Sequence, residues 1–356
     1  MKITELSLEN YRNIENISLS PCEGVNIIYG ENAQGKTNIL EAIFLFTGLK
    51  SFRSSKDSEL VMFGKDFSRI KTQFETSHRK NTSEIKITDR RRASLNGVSL
   101  KSPTELMSRF PASLFSPGFM SLIQNGPSER RKFIDSAICQ IKPRYAVLLS
   151  EYTKLVKQRN AVLKDNEDIK SVRLFLDCIN DAFTNLGEEI YRERKEYLDL
   201  LLPYVSEIYS GLSSGKEEIS FTYLRKGCHG EESLKEIVKN HEKADINAGI
   251  TLTGPHRDDI EININSVSAR SFGSQGQKRS AAIALKLSEA QVIKSITGEE
   301  PVILLDDVMS ELDTLRQDYI LNHIKDRQVF ITCCDPGSIL RMSEGKTFSI
   351  KEGRLK

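Results

Sequence analysis

Apolar positions follow several distinct rhythms along the chain. Ile3, Leu6 and Leu8, then Ile14, Ile17 and Leu19, form short runs separated by Asn10-Tyr11-Arg12-Asn13. With Val25, Ile27, Ile28 and Tyr29 following, residues 1 to 29 predict paired strands, the last of them short and buried. Ile70 to Phe74, then Ile85 and Ile87, predict more strands, with Asn96-Gly97 as a hairpin turn. Pro111 to Phe115 adds another short apolar segment before Ser116-Pro117-Gly118.

From about residue 128 to 211 the spacing becomes helical. Phe133, Ile134, Ala137, Ile138 and Ile141 make one stripe, which Pro143 ends or kinks. Leu148, Tyr152, Leu155 and Arg159 mark a second helix, and Phe175, Ile179, Phe183, Leu186 and Ile190 a third. Such stripes read as core packing between helices. Ile219, Phe221 and Tyr223 alternate like a strand, and residues 231 to 243 read as an exposed helix. The strand signal returns after Gly249 with Ile260, Ile262 and Ile264. A long helix follows over 277 to 296, with Ile283, Leu287 and Ala290 on one face. Val302 to Leu305 and Val329 to Ile331 are further apolar runs. Strand-rich pieces thus flank a helical one. This predicts an α/β domain built from both chain ends, 1–120 plus 246–356, with a mainly helical subdomain, 121–245, inserted between them.

Composition narrows the class. Of 356 residues 38% are hydrophobic and 28% charged, which suits long, solvent-facing helices. The net charge of +2 leaves any nucleic-acid contact to local patches. Cysteines at 22, 139, 178, 228, 333 and 334 form no C-x-x-C pair, and Cys333-Cys334 is a poor disulfide geometry. They read as free thiols in a reducing compartment. The histidines show no ligand spacing, and Cys228-His229 alone makes no metal site. The start lacks a basic-plus-apolar signal, and runs such as Ile43 to Phe46 are too short to cross a bilayer. A cytoplasmic protein, nucleoid-associated and without a membrane partner, is expected.

Candidate chemistry centres on Gly30-Glu31-Asn32-Ala33-Gln34-Gly35-Lys36-Thr37, which fits the phosphate-loop pattern G-x-x-x-x-G-K-[ST]. It follows the Val25–Tyr29 strand and precedes a helical stretch beginning near Asn38, as the mechanism requires. Glycines allow the loop to turn several N–H groups onto one anion, and the helix start adds its positive end. Lys36 is expected to neutralise the β- and γ-phosphates of ATP and Thr37 to ligate Mg²⁺. Asp306, ending the 302–305 run, matches a Walker B carboxylate on that metal, and Asp307 the group that orients or deprotonates the attacking water. Gly273-Ser274-Gln275-Gly276-Gln277-Lys278-Arg279 resembles the ABC signature, and Ser310 to Asp313 resembles a D-loop. In ABC-type enzymes the signature meets the other subunit's γ-phosphate, so Ser274, Gln275, Gly276 and Gln277 imply a head-to-tail, ATP-dependent homodimer.

Together with Glu9 to Asn13, Leu114-Phe115-Ser116-Pro117, Gly126 to Asp135 and Thr253-Gly254-Pro255-His256-Arg257-Asp258-Asp259, these motifs span nearly the whole chain. The whole resembles the RecF family of bacterial gap-repair ATPases, related to SMC-type proteins. The resemblance implies a P-loop ABC/SMC-type ATPase head with an inserted helical lobe. It also implies roles in DNA repair, replication and SOS induction, and ATP-dependent dimerisation on double-stranded DNA or single/double-strand junctions. RecR and RecO are the implied partners, helping to load RecA. By analogy with SMC-type heads Arg12 touches the nucleotide. Lys50, Arg53, Arg90, Arg91, Arg92, Arg130, Arg131 and Lys132 are the candidate DNA contacts. Two departures from transporter-type ABC enzymes, Asp307 in place of a longer Glu and Thr332-Cys333-Cys334 in place of a switch histidine, predict a weak, timer-like ATPase, and the resemblance implies that DNA stimulates it. A transporter's ATP-binding subunit and a non-hydrolysing scaffold are the competing readings.

Overall fold

The structure, a computed structural model, describes residues 1–54, 56–164, 169–228, 230–341 and 345–356. His229 and residues 165–168 of the expected helical stretch lie outside them. The first part of the chain forms β1 (Lys2–Tyr11), β2 (Ile14–Leu19), β3 (Val25–Tyr29), α1 (Lys36–Leu45), β4 (Ser68–Glu75), β5 (Lys80–Ile87), β6 (Arg91–Leu95), β7 (Val98–Ser99) and β8 (Ala112–Phe115). Helices α2 (Ser121–Gln124), α3 (Pro127–Ile141), α4 (Pro143–Lys164) and α5 (Ile169–Ser213) follow. Then come β9 (Ile219–Leu224), α6 (Leu234–Ala248), β10 (Asp259–Ile264), β11 (Val267–Ser268), α7 (Ala269–Phe272) and α8 (Gln275–Thr297). The chain closes with β12 (Val302–Asp306), α9 (Thr314–Ile324), β13 (Val329–Cys333), α10 (Gly337–Leu340), β14 (Gly345–Lys351) and β15 (Arg354–Leu355).

Three layers result. An antiparallel sheet runs β2-β1-β4-β5-β6-β7, and a second sheet runs β15-β14-β3-β13-β12-β8, parallel except at its β15 edge. The inner strands β3, β13 and β12 are apolar at most positions because both faces are covered. Ile28, Val302, Leu304 and Phe330 join the core beneath α1 and the antiparallel sheet. Ile27, Ile303, Leu305 and Ile331 join the core formed with α3, α5 and α8.

Two expectations change here. The helix over 231–243 is not wholly exposed: α6 buries Leu234, Ile237, Val238 and Ile246. Leu234 seats against α5 at Gly187, where a Cβ would come within 2.3 Å of it. Strand β9 pairs along its length with β10, so this sheet crosses the 245/246 division suggested by composition.

Candidate functional site

Strands β12, β13 and β3 end side by side. Asp306 lies opposite Thr332, and Cys333 opposite Tyr29. Ligand sites in parallel sheets form beyond such carboxyl ends. Here the chain turns from β3 through Gly30 and Gly35 into α1. Gly30 has φ 152° and Gly35 φ 109°, conformations that side chains rarely adopt. A Cβ on Gly30 would also lie 2.3 Å from the Ile350 carbonyl oxygen, and one on Gly35 2.9 Å from Asn13 Oδ1.

The expected loop residues converge with the expected acids. Lys36 opens α1, and its Nζ donates to the carbonyls of Gly30 (2.7 Å) and Glu31 (2.8 Å). Thr37 Oγ1 donates to Asp306 Oδ1 at 2.7 Å. Thr332 Oγ1 donates to the same oxygen at 2.8 Å and accepts from the Asp307 N–H at 2.9 Å. Burial raises the Asp306 pKa, outweighing the stabilising hydroxyl contacts from Thr37 and Thr332. Asp307 sits at φ 53°, an uncommon conformation for a non-glycine residue, and lines the cavity above the loop.

That cavity, about 540 Å³, is lined by loop residues Asn32 to Asn38 and by Arg12, Arg53, Asp307 and Thr332. Its size falls in the range of small-molecule pockets, roughly 300–1,000 Å³. Arg12 faces it, with Nε and Nη2 committed to Glu41 at 2.9 and 2.7 Å and Nη1 to the Glu59 carbonyl at 3.0 Å. Burial opposes ionisation of Glu41, but hydrogen bonds from Arg12, Ser51 and Tyr11 win and hold its pKa low. Arg53, expected on DNA, instead lines this cavity and donates to Asn38 Oδ1 at 2.6 Å. The reason is the turn after α1, which returns residues 51–54 to the head of that helix, where Ser51 binds Glu41 and Ser54 accepts from Arg12.

The signature residues lie elsewhere. Ser274 is exposed and caps α8: its Oγ accepts from the Gln277 N–H, and Gln277 Oε1 accepts from the Ser274 N–H. Residues 274–277 do not line the loop's cavity. Arg316 of α9 braces the turn, donating to the Gly276 carbonyl at 3.1 Å and to Ser280 Oγ at 3.0 Å. Asp313 caps α9 and pairs with the same arginine.

The basic candidates separate by partner. Arg130 is a correction: it is buried, with Nε and Nη2 on Asp259 at 2.8 and 3.0 Å and Nη1 on the Leu122 and Asn125 carbonyls. Arg91 is another, its Nε paired with Asp57 at 2.9 Å and its Nη1 on the Leu49 carbonyl. Both spend their charge inside the fold. Arg131 is half-buried and gives one N–H to the Asp258 carbonyl. Lys50, Arg90, Arg92 and Lys132 are exposed. All of these but Arg92 and Arg130 border a second cavity, about 870 Å³, between the β6 region and helices α3 and α4. Lys154 and Lys157, which the sequence reading did not single out, line it too.

Several supporting residues were also missed. Thr332, read only as the place of an absent histidine, joins the two acids. Glu41 anchors Arg12. Two motifs prove to be one unit: Arg130 and Arg131 of the 126–135 run bind Asp259 and Asp258 of the 253–259 run. Arg194, nearly fully buried, ties Asp135 to the Pro255 carbonyl. The pairings of Arg130, Arg131 and Arg194 join residues more than 50 positions apart, which no local pattern signals.

The family model described as RecF/RecN/SMC N terminal domain matches residues 2–354. Among named relatives, the DNA replication and repair protein RecF of Clostridium acetobutylicum is 39% identical, covering 100% of this chain and 99% of its own. That of Lachnospira eligens is 38% identical over the same shares. The solved structure of the recombination mediator protein RecF-ATP in the RecFOR pathway superposes with TM-score 0.90 at 37% identity, covering 100% of this chain and 97% of the other. An Smc head bound to the C-winged helix domain of ScpA shares the fold alone, with TM-score 0.59 at 16% identity over 100% and 96%. The P-loop with its paired acids, the signature helix and full-length similarity agree: this chain belongs to the RecF family of DNA replication and repair proteins, on an SMC-type ATPase head.

Proposed function

We propose that the chain is an ATP-driven DNA-binding switch of recombinational gap repair. Two copies close head-to-tail around two ATP molecules on double-stranded or junction DNA, hydrolyse slowly under DNA stimulation, and work with RecO and RecR to load RecA. The observation that carries this reading is a division of labour within one chain. The phosphate loop from Asn32, Thr37 and Asp307 line one cavity, with Asp306 held on Thr37 at its edge, while an exposed signature cap at Ser274 lies outside it. A second copy's Ser274 and Gly276 supply what the first cavity lacks. Support for ATP comes from the RecF-ATP relative, and for the partners from its place in a RecFOR pathway.

In this reading Lys36 transfers its contacts from the loop carbonyls to phosphate oxygens. The Thr37 hydroxyl and the Asp306 carboxylate, 2.7 Å apart, are hard oxygen ligands suited to Mg²⁺. The ion, when bound, supplies charge neutralisation on the triphosphate. Thr332 fixes the Asp306 carboxylate and the Asp307 backbone together, and Asp307 is placed to orient water. Among the described residues no helix is long and apolar enough to cross a membrane. A cytoplasmic, nucleoid-associated place suits the proposed DNA work.

Light scattering with ATP–Mg²⁺ and a gapped duplex tests the reading. Wild type should shift from monomer to dimer. Ser274→Arg should stay monomeric while binding ATP normally, and its dimerisation would sink the sandwich. Phosphate release should drop at least ~100-fold in Lys36→Ala and Asp306→Asn, in line with the loss of transition-state charge stabilisation. Release unaffected by both leaves only a non-hydrolysing scaffold.

A further inference from the structure

Gln277 has two jobs. Its Oε1 closes the cap at Ser274, and its Nε2 donates to Glu217 Oε1 at 2.7 Å. Glu217 does not belong to the signature segment. It lies between α5 and β9, where Tyr209, buried in the last turns of α5, donates to its other oxygen at 2.7 Å. An unbroken line of hydrogen bonds therefore runs from the end of α5 through Tyr209, Glu217 and Gln277 to the Ser274 backbone.

The opposite side of the turn is held differently. Arg316 grips the Gly276 carbonyl and Ser280 from α9. Helix α9 is in turn anchored on α5 by Tyr319, whose hydroxyl donates to the Ile208 carbonyl at 3.1 Å. Both supports of the signature turn thus converge on the last turns of α5. The other face of this lobe presents Lys154 and Lys157 of α4 to the basic cleft. A rearrangement of the lobe on binding DNA there would reach the turn along both lines, and Glu217 is the middle of the one that ends at the Ser274 cap.

We infer that Glu217 is a positioning residue through which the helical lobe sets the signature turn for the partner's triphosphate, so that occupancy of the cleft and closure of the dimer are linked. The inference rests on the dimer reading above. It places no group of Glu217 on nucleotide: the carboxylate acts only by orienting Gln277 and, through it, the Ser274 cap.

Glu217→Ala removes the acceptor, and Glu217→Gln keeps an oxygen for Gln277 Nε2 while Tyr209 turns to accept from the new amide. Tyr209→Phe removes the far donor and keeps the packing. Each is compared with wild type for binding of a fluorescent ATP analogue by the monomer, and for dimerisation with ATP–Mg²⁺, with and without gapped duplex. One charge-assisted hydrogen bond is worth about tenfold or somewhat more. A two-fold dimer loses it twice, so Glu217→Ala should need ~100-fold more protein to dimerise. Its monomer should bind the analogue within about twofold of wild type, and DNA should no longer promote closure. Glu217→Gln should recover most of the loss, and Tyr209→Phe should fall between. Wild-type dimerisation by Glu217→Ala overturns the inference, as does a Glu217→Gln defect equal to that of alanine. A wild type that stays monomeric overturns the dimer reading itself, a result distinct from either.

Discussion

His256 shows how one side chain in the 253–259 run is held neutral. Its Nδ1 lies 2.8 Å from the Tyr152 hydroxyl and its Nε2 3.4 Å from the Thr251 carbonyl. A carbonyl only accepts, so the proton sits on Nε2, and Tyr152 donates to the bare Nδ1. Burial, aided by the nearby charges of Arg257, Arg131 and Arg159, depresses its pKa to about 4. The sign follows. Above about pH 6.5 the ring is neutral in both folded and unfolded chains, and its contribution to stability is complete. As pH falls toward 4 the unfolded chain takes the proton first, and stability is lost progressively, reaching on the order of 3 kcal/mol at about 1.4 kcal/mol per pH unit. Urea midpoints for wild type and His256→Gln between pH 7.5 and 4.5 isolate this from the carboxylates common to both. Wild type should lose more stability on acidification; parallel curves would show the ring to be freely titrating. The loop residues at this scale, Gly30 to Asn38 with Asp306 and Asp307, were legible because phosphate-loop chemistry depends on residue identity at fixed spacing. His256 was visible as part of a motif, but its neutral state depends on Tyr152, 104 positions away.

Helices α4, α5 and α6 meet at a different kind of joint. Arg159 of α4 and Asp245 of α6 are both fully buried and paired at 2.6 Å, with Thr251 Oγ1 accepting from the same Nη1 at 2.9 Å. Removing one member of such a pair leaves the other charge without compensation. Arg159→Ala should therefore destabilise by about 3–5 kcal/mol, whereas Arg159→Ala/Asp245→Ala should recover part of that loss. Denaturant unfolding of the set checks this, and a double variant no better than the single would remove the pair from the account. The sequence placed Arg159 on a helical stripe with Leu148 and Tyr152, and the stripe does face inward. Periodicity reports which face is buried, so β1, β3, α3, α8 and β12 were readable. It fails where burial is slight. Strand β14 buries only Phe348 and Ile350 and went unread, although it sits beside β3 in the central sheet. Helix α9 was hidden because Asp313 was read as a loop residue when it is also the helix cap. Nor does local sequence tell a paired arginine from a free lysine: Arg130 and Lys132 are two apart, one buried on Asp259 and the other exposed.

Across the whole molecule the near-neutral charge of +2 conceals a strong local imbalance. The cleft between the β6 region and helices α3 and α4 carries Lys50, Arg90, Arg131, Lys132, Lys154 and Lys157, none ion-paired among the described residues. Its two carboxylates are already matched, Asp57 by Arg91 and Asp135 by Arg194. Serine and threonine hydroxyls, including Ser128, Ser150 and Thr153, line the same walls. Cations and hydroxyls bind phosphate oxygens, which position a duplex without reading its bases. The one tyrosine in the wall, Tyr152, is buried, so it is no platform for an unstacked base. If this cleft takes DNA, the affinity is mainly counterion release, and each lost phosphate contact lowers the salt slope by about 0.9. Lys154→Ala/Lys157→Ala should then lower the slope of log K against log[salt] by up to roughly 2, equally on unrelated sequences. Arg92→Ala, on an exposed arginine outside the cleft, supplies the control. Fluorescence anisotropy over a salt series distinguishes the cases: a slope unchanged in the double variant but reduced by Arg92→Ala would move the DNA track onto the outer strands, while a loss confined to one sequence would mean that the cleft reads bases after all.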